Sequence, residues 1–116
     1  MKRLFLVDDS FFMRDMLKGV LVRQNYEIVG EACNAANAIL GVKETLPDVI
    51  ILDIRLGESS GLEVLKKIKE ELKEIKVIIC SGVNNNDTIS KAILCGADNY
   101  LIKPFSFKEL FHLISN

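Results

Sequence analysis

The stretch Val49-Ile50-Ile51-Leu52-Asp53 decides the fold of this chain. A run of apolar residues, most of them β-branched, is typical of a short strand that is buried on both faces of a parallel sheet. The run ends on a carboxylate, and the ligands of open α/β sheets collect at the carboxyl ends of the strands. Aspartate after a strand is also a common turn former or helix cap. The meaning of Asp53 therefore depends on what the other strands deliver to the same edge.

Four further segments repeat this pattern along the chain. We predict strands at Leu4–Val7, Glu27–Cys33, Lys76–Ser81 and Tyr100–Lys103, with Val49–Asp53 third in order. Apolar residues recur at helical spacing between the strands and after the last one. Regular alternation of strand and helix, with short connections, predicts one α/β domain. Its core is a doubly wound, five-stranded parallel sheet with helices on both faces.

Capping and turn residues set the limits of the predicted helices. Ser10 and Asn34 are the expected N-caps of the first two helices, and Leu46 is expected to close the apolar stripe of the second. Residues 60–63 and 106–109 fit the capping-box pattern, and Gly96 is expected to end the fourth helix. The polar segment 54–60 is predicted to be a loop. The third helix is predicted to face the core with Leu62, Leu65, Ile68 and Leu72.

The composition indicates one soluble globular domain. The chain has 116 residues, of which 49% are apolar and 27% charged, and its formal net charge is −1. The absence of a basic stripe argues against nucleic-acid binding. No apolar run reaches transmembrane or signal-peptide length. The odd number of cysteines, in no metal-ligand spacing, predicts small buried apolar residues in a reducing cytoplasm: Cys33, Cys80 and Cys95.

The predicted strands bring reactive side chains to one edge of the sheet. The first strand ends at Asp8 and Asp9, the third at Asp53, the fourth at Ser81 and the fifth at Lys103. Three carboxylates in one crevice repel each other, and one lysine neutralises only one of them. A hard divalent cation is therefore expected, and oxygen ligands suit Mg²⁺. An aspartate oxygen can attack phosphorus to form an aspartyl phosphate. The metal, the lysine and the hydroxyl would then share the charge of the phosphoryl oxygens.

The order of these motifs resembles the receiver domain of two-component response regulators, the CheY-like family. The motifs are Asp8-Asp9-Ser10, the strand-end Asp53, Ser81-Gly82 after a strand, and the run Gly-Ala-Asp-Asn-Tyr-Leu-Ile-Lys-Pro-Phe at 96–105. The resemblance covers the whole chain. It implies the CheY- and flavodoxin-like strand order 2-1-3-4-5, and a receiver domain over residues 1–116 without an output domain.

The resemblance also implies a role for each matching residue. Asp53 matches the phosphoacceptor, Asp9 a direct Mg²⁺ ligand, and Asp8 the acid that holds metal-bound water. The backbone carbonyl of Arg55 matches the third protein ligand. The remaining matches are the switch hydroxyl Ser81, the phosphate-pairing Lys103, and Tyr100, the aromatic residue that turns inward on activation. The family's Lys-Pro turn implies a cis bond at Lys103-Pro104. One departure is Leu56-Gly57, where the family often has Met-Pro, so the stiffness of this loop is open.

The function implied by the resemblance is Mg²⁺-dependent phosphoacceptance rather than enzymatic turnover, although the chain would assist its own phosphorylation and dephosphorylation. A histidine kinase would supply the phosphoryl group to Asp53, and the chain, expected to be a monomer, would signal by phosphorylation-dependent binding to other proteins. The opening Asp-Asp-Ser-Phe-Phe-Met-Arg resembles chemotaxis-type receivers. The expected target is therefore a flagellar or archaellar switch or adaptor protein, with a partner phosphatase. The alternative is a phosphorelay intermediate that passes the phosphoryl group to a phosphotransfer protein.

Three other classes of function fit the sequence less well. An aspartyl-phosphate phosphatase of haloacid dehalogenase type needs a second aspartate two residues after the nucleophile as general acid, and Arg55 stands there. A flavodoxin-like cofactor binder needs a phosphate-cradling loop after the first strand, where this chain has two acids. A receiver used without phosphorylation would not require the complete set of site residues.

Overall fold

The computed structural model describes all residues from Met1 to Asn116, and its main sheet contains five parallel strands. These strands are β1 (Arg3–Val7), β2 (Glu27–Ala32), β3 (Val49–Leu52), β6 (Lys76–Ser81) and β7 (Asn99–Ile102). A short antiparallel pair, β4 (Arg55–Leu56) and β5 (Ser59–Ser60), lies outside that sheet. The helices are α1 (Phe11–Arg23), α2 (Ala35–Thr45), α3 (Gly61–Glu71), α4 (Asn86–Leu94) and α5 (Phe107–Ser115). No helix is long and apolar enough to cross a membrane.

The strand order of the main sheet is β2-β1-β3-β6-β7. Counted within that sheet, this is the predicted order 2-1-3-4-5, and the fold prediction is confirmed. The central strand β3 pairs with β1 on one side and β6 on the other, so that Leu52 lies between Val7 and Ile79. Because these neighbours end in register, Asp8 and Asp53 leave the sheet side by side. The topology thus places the two acids at one edge.

Helices cover both faces of the sheet, and each face has its own core. On one face α1 and α5 pack with Leu17, Leu21, Leu110 and Ile114 against alternate strand residues. On the other face α2, α3 and α4 pack against the intervening strand residues, which include Ile50 and Leu52. All four residues of β3 are buried, as a central strand of a doubly wound sheet requires.

The predicted helix caps are present, with one difference. The side chains of Ser10, Asn34 and Ser106 each accept a hydrogen bond from the backbone N–H three residues later. Ser60 also caps its helix, but it accepts from the N–H of Leu62 instead of the N–H of Glu63. The capping box at 60–63 is therefore incomplete. Gly96 follows α4 with a positive φ of 106° and ends the helix as predicted.

The structure corrects two predictions about the first half of the chain. Leu46 does not belong to the apolar stripe of α2, since it is 55% exposed and adopts a left-handed φ of 47°. The following Pro47 disfavours helical backbone at the preceding residue, so the chain leaves the helix one residue early. Strand β2 ends at Ala32, where its pairing with β1 ends, and Cys33 is exposed instead of buried.

One further correction concerns the segment after β3. Residues 54–60 do not form an irregular loop throughout, because β4 and β5 pair around Gly57, whose φ is 61°. The prediction for α3 is confirmed: Leu65 and Ile68 are buried, and Leu62 and Leu72 at the two ends of the helix are half-buried and pack against the same core.

Candidate functional site

The carboxyl edge of the sheet carries a pair of buried acids. Asp8 follows β1 directly and is 4% exposed, and Asp53 follows β3 and is 8% exposed. The backbone N–H of Asp53 donates to the carbonyl of Val7 at 2.9 Å, so the two strand ends are tied together. Asp9, the next residue along the chain, is exposed. The predicted acidic crevice therefore exists, with two members inside it and one at its mouth.

Lys103 bridges the two buried acids. Its Nζ lies 2.9 Å from Oδ2 of Asp8 and 2.9 Å from Oδ2 of Asp53. Burial disfavours the charged lysine, but the hydrogen bonds to Asp53 and Asp8 outweigh burial and raise the pKa of Lys103 above its usual range. Lys103 is thus held as a cation between two carboxylates.

Backbone amides donate to one oxygen of each carboxylate. Oδ1 of Asp8 accepts from the N–H of Ser10 at 2.9 Å, and Oδ1 of Asp53 accepts from the N–H of Arg55 at 3.1 Å. Oδ2 of Asp9 accepts from the N–H of Gly57 at 3.2 Å. This last bond links the turn Asp8-Asp9-Ser10, called the acidic turn below, to the β4–β5 hairpin. Gly57 therefore supplies a donor to the site, at a position where proline would have none.

The connection from β3 to α3 depends on a close backbone contact at Gly61. The N–H of Gly61 donates to the carbonyl of Ile54 at 2.6 Å. A Cβ atom at this position would lie only 2.1 Å from the backbone oxygen of Asp53. Only glycine fits there without a shift of the backbone. The start of α3 consequently fixes the main chain of Asp53.

The donor set fits a hard divalent cation. Carboxylate oxygens of Asp8, Asp9 and Asp53 all lie within 4.8 Å of one another, and Lys103 contacts only two of these acids. Oxygen-rich, negatively charged clusters suit Mg²⁺, which keeps several of its own waters. The role of the Arg55 carbonyl as a further ligand stays a prediction. Arg55 does lie beside the cluster, because its backbone N–H donates to Asp53.

Ser81 and Tyr100 lie at the same edge and are connected through Val83. Ser81 is fully buried at the end of β6, and its Oγ accepts from the N–H of Val83 at 3.2 Å. The Tyr100 hydroxyl donates to the carbonyl of the same Val83. Burial raises the pKa of the Tyr100 hydroxyl above its ordinary value. Strand β7 then leads to Lys103, whose peptide bond to Pro104 is cis, as predicted.

One residue at this site was missed by sequence reasoning. The Nη1 of Arg14 donates to the backbone carbonyl of Asp8 at 2.6 Å. Arg14 lies in α1, where a polar residue between apolar positions ordinarily indicates a solvated face. The one sequence signal that could have indicated Arg14 is its place in the run Asp-Asp-Ser-Phe-Phe-Met-Arg, shortly after the two acids.

Comparison with known proteins places this fold and this edge in one class. A family model, the response regulator receiver domain, matches residues 4–115. The chain therefore belongs to the receiver domains of two-component signalling. Among its relatives are two proteins named chemotaxis protein CheY. The one from Thermotoga maritima is 38% identical over 104 residues, which are 90% of this chain and 87% of the relative. The one from Bacillus subtilis is 36% identical over 113 residues, or 97% and 94%.

A solved structure supports the same assignment. The crystal structure of a CheY-like response regulator receiver domain protein from Methanospirillum hungatei superimposes with a TM-score of 0.94. It is 26% identical, and the match covers 99% of this chain and 91% of that one. The fold agrees over nearly the full length of both chains.

Proposed function

We propose that this chain is a Mg²⁺-dependent phosphoacceptor that takes a phosphoryl group on Asp53 from a histidine kinase. The observation that carries the proposal is the Lys103 bridge between Asp8 and Asp53 within a cluster of three carboxylates. A merely structural ion pair needs no third acid. An excess of carboxylates over cations at the end of a central strand is suited to binding a cation and a phosphoryl group.

The transfer itself requires little more than positioning. An oxygen of Asp53 attacks phosphorus, the new O–P bond forms, and the P–N bond to the donor imidazole breaks, with a proton from solvent returning to that imidazole. Asp8, Asp9 and Asp53 would hold Mg²⁺, and the bound metal would supply positive charge that offsets the negative charge of the phosphoryl oxygens. Lys103 is already placed against Asp53 and can pair with a phosphoryl oxygen. The carboxylate of Asp53 is oriented by the hydrogen bonds it accepts from Lys103 and from the Arg55 amide.

The contacts of Val83 provide a route from the phosphoryl group to the surface. The hydroxyl proton of Ser81 is available to donate to a phosphoryl oxygen, which would draw the β6–α4 connection towards Asp53. Tyr100 is attached to that connection through the Val83 carbonyl and would move with it. The phosphoryl group adds about two negative charges. Couplings of about 1–3 kcal/mol are typical of such two-state responses.

The output is proposed to be phosphorylation-dependent binding to another protein, as in chemotaxis. The support is the relationship to proteins named chemotaxis protein CheY, at 36% and 38% identity. The predicted target is a flagellar or archaellar switch or adaptor protein, and the chain itself catalyses no turnover of a separate substrate. Transfer of the phosphoryl group from Asp53 to a histidine of a phosphotransfer protein would instead identify a phosphorelay intermediate.

The first experiment tests the phosphoacceptor. Incubation with a small phosphodonor and Mg²⁺ should add one phosphoryl group by intact mass spectrometry, and chelation of the metal should prevent it. Asp53→Asn should abolish the addition, whereas Asp15→Asn, an exposed change on α1, should leave it unchanged. Labelling of the Asp53→Asn variant at a serine or threonine would contradict the assignment.

A further inference from the structure

We propose that Arg14 is a positioning residue of the acidic site: its guanidinium fixes the peptide between Asp8 and Asp9 and thereby sets the geometry in which Asp9 meets the metal. This inference rests on the proposed function and deepens it. Arg14 contacts neither the phosphoacceptor nor any of the three carboxylates. It acts through the main chain of Asp8, to whose carbonyl it donates at 2.6 Å.

The carbonyl of Asp8 is the part of the acidic turn that nothing else at the site holds. The Asp8 side chain is fixed by Lys103 and by the N–H of Ser10, and the Asp8 N–H donates to the carbonyl of Ala32. The Asp9 side chain accepts from the N–H of Gly57, but none of these bonds acts on the plane of the Asp8–Asp9 peptide. The donor on its carbonyl is Arg14, which therefore restrains the direction in which the exposed Asp9 leaves the turn.

The guanidinium is itself oriented by a partner on the neighbouring strand. Nε of Arg14 lies 2.7 Å from Oε1 of Glu31 on β2, and the side chain of Arg14 is only 12% exposed. The ring of Phe11 lies 5.8 Å from the guanidinium carbon. One nitrogen thus holds β2 while another holds the acidic turn. Such a fork needs the planar, multi-donor guanidinium, and an ammonium group at the end of a lysine cannot reproduce it.

The chain offers a matched control in Lys18. Its Nζ pairs with the other carboxylate oxygen of Glu31, so Arg14 and Lys18 share one acidic partner. Only Arg14 reaches Asp8. If Arg14 merely contributes to the ion cluster on β2, then Arg14→Gln and Lys18→Gln will behave alike at the metal site. If it positions the acidic turn, the two variants will differ.

The experiment measures Mg²⁺ binding by amide chemical shifts in a titration of the ¹⁵N-labelled protein, with unfolding by denaturant measured in parallel. For Arg14→Gln we expect the dissociation constant for Mg²⁺ to rise about 5- to 10-fold, since a charge-assisted hydrogen bond is lost. For Lys18→Gln we expect a change of less than about 2-fold, because surface ion pairs contribute little. In the metal-free protein, the Asp9 amide resonance should move in Arg14→Gln and stay in place in Lys18→Gln.

Two further variants separate geometry from charge. Arg14→Lys keeps the positive charge but loses the fork, so it should weaken Mg²⁺ binding nearly as much as Arg14→Gln. Glu31→Gln leaves Arg14 in place but loosens its orientation. We expect the dissociation constant for Mg²⁺ to rise about 2- to 3-fold, which on a logarithmic scale is roughly half the effect of removing the hydrogen bond. These two substitutions also carry the test if Arg14→Gln does not fold.

The outcomes distinguish this inference from the proposed function. If the parent protein binds no Mg²⁺ and takes no phosphoryl group, the proposed function fails. If the parent does both and Arg14→Gln binds Mg²⁺ as tightly as Lys18→Gln, the positioning role of Arg14 is overturned while the function stands. Full recovery of Mg²⁺ binding in Arg14→Lys would likewise overturn it, since charge alone would then be sufficient.

Discussion

Lysine side chains form hydrogen bonds at both ends of the parallel strands, but their partners differ at the two ends. At the amino edge, where the parallel strands begin, Lys2 donates to the carbonyl of Ile114 at 2.7 Å, and Lys76 donates to the carbonyl of Leu113. Both carbonyls belong to the last turn of α5, where the helix leaves them without helical partners. At the carboxyl edge, Lys103 donates to two carboxylates instead.

The difference separates a structural edge from a functional one. Neutral carbonyls at the end of α5 are fixed by the helix and have no reason to change partners. At the carboxyl edge three carboxylates lie close together and one lysine bridges two of them, so the negative charge of the cluster exceeds the positive charge that contacts it. Such an arrangement costs stability in the absence of a cation. It also leaves Lys103 able to exchange a carboxylate for a phosphoryl oxygen, which the lysines of the amino edge cannot do.

The largest expected effect comes from removing one lysine from each edge. Lys103→Met should slow phosphorylation of Asp53 by about 100-fold or more, the usual cost of losing a preorganised donor to the transferring group. Lys76→Met should leave the phosphorylation rate unchanged and lower the free energy of unfolding by about 1 kcal/mol, the contribution of one hydrogen bond. Rates from intact mass spectra and urea unfolding curves provide the two measurements. Equal slowing by both substitutions would remove the functional distinction between the edges.

A second effect concerns the backbone that supports the carboxyl edge. Gly61→Ala places a methyl group 2.1 Å from the Asp53 carbonyl, so the backbone must shift, and we expect unfolding to become easier by about 2–3 kcal/mol. Gly19→Ala on α1, where nothing lies within 4 Å, should instead stabilise the protein by about 0.5–1 kcal/mol through helix propensity. Thermal or urea unfolding checks both signs. A stable Gly61→Ala variant would show that this contact does not fix Asp53.

The edges also show which parts of the molecule can be predicted from the sequence. The site residues were predictable because four of the five apolar runs stop at or just before a residue that carries the chemistry. Parallel strands in register then bring Asp8, Asp53, Ser81 and Lys103 together without any knowledge of side-chain contacts. The bridge from Lys103 to both Asp8 and Asp53 was not predicted and is known only from the structure.

Other features depended on contacts that no local pattern encodes. Arg14 reaches Asp8 because α1 packs beside β2, where Glu31 orients the guanidinium. The bond from Gly57 to Asp9 joins residues far apart in the chain. Leu46 is spaced as a core residue of α2 would be, but Pro47 disfavours helical backbone at the residue before it, so Leu46 lies outside the helix. Sequence patterns thus predicted the five main strands and the five helices, whereas the β4–β5 pair and the contacts that support the site arose from packing.

A smaller effect tests whether the carboxyl edge holds excess negative charge. Asp9→Asn removes one of three neighbouring carboxylates, so the metal-free protein should become more stable by about 0.5–1 kcal/mol, an effect that salt should reduce. The same substitution should weaken Mg²⁺ binding. Asp15→Asn should change neither quantity appreciably, since surface substitutions usually have small effects. Urea unfolding with and without Mg²⁺ provides the measurement, and a metal-free Asp9→Asn variant that is less stable than the parent would contradict the charge argument.

An effect of similar size is a pH dependence at Glu31, an acid that pairs with two cations, Arg14 and Lys18. Hydrogen bonds from Lys18 and then Arg14 lower the pKa of Glu31 below its ordinary value. A lowered folded-state pKa means that the unfolded chain binds the proton more readily, so the stabilisation is present above the unfolded pKa, near 4.5, and is lost as the pH falls through the folded pKa.

At neutral pH, Glu31→Gln should therefore lower the free energy of unfolding by about 0.5–1 kcal/mol, in the range of surface ion pairs. The difference from the parent should shrink below about pH 4.5 and vanish in stronger acid, where the parent carboxyl is protonated as well. Urea unfolding of both proteins across this pH range follows the difference directly. A constant difference down to the most acidic condition would mean that Glu31 stabilises the fold by packing instead of charge.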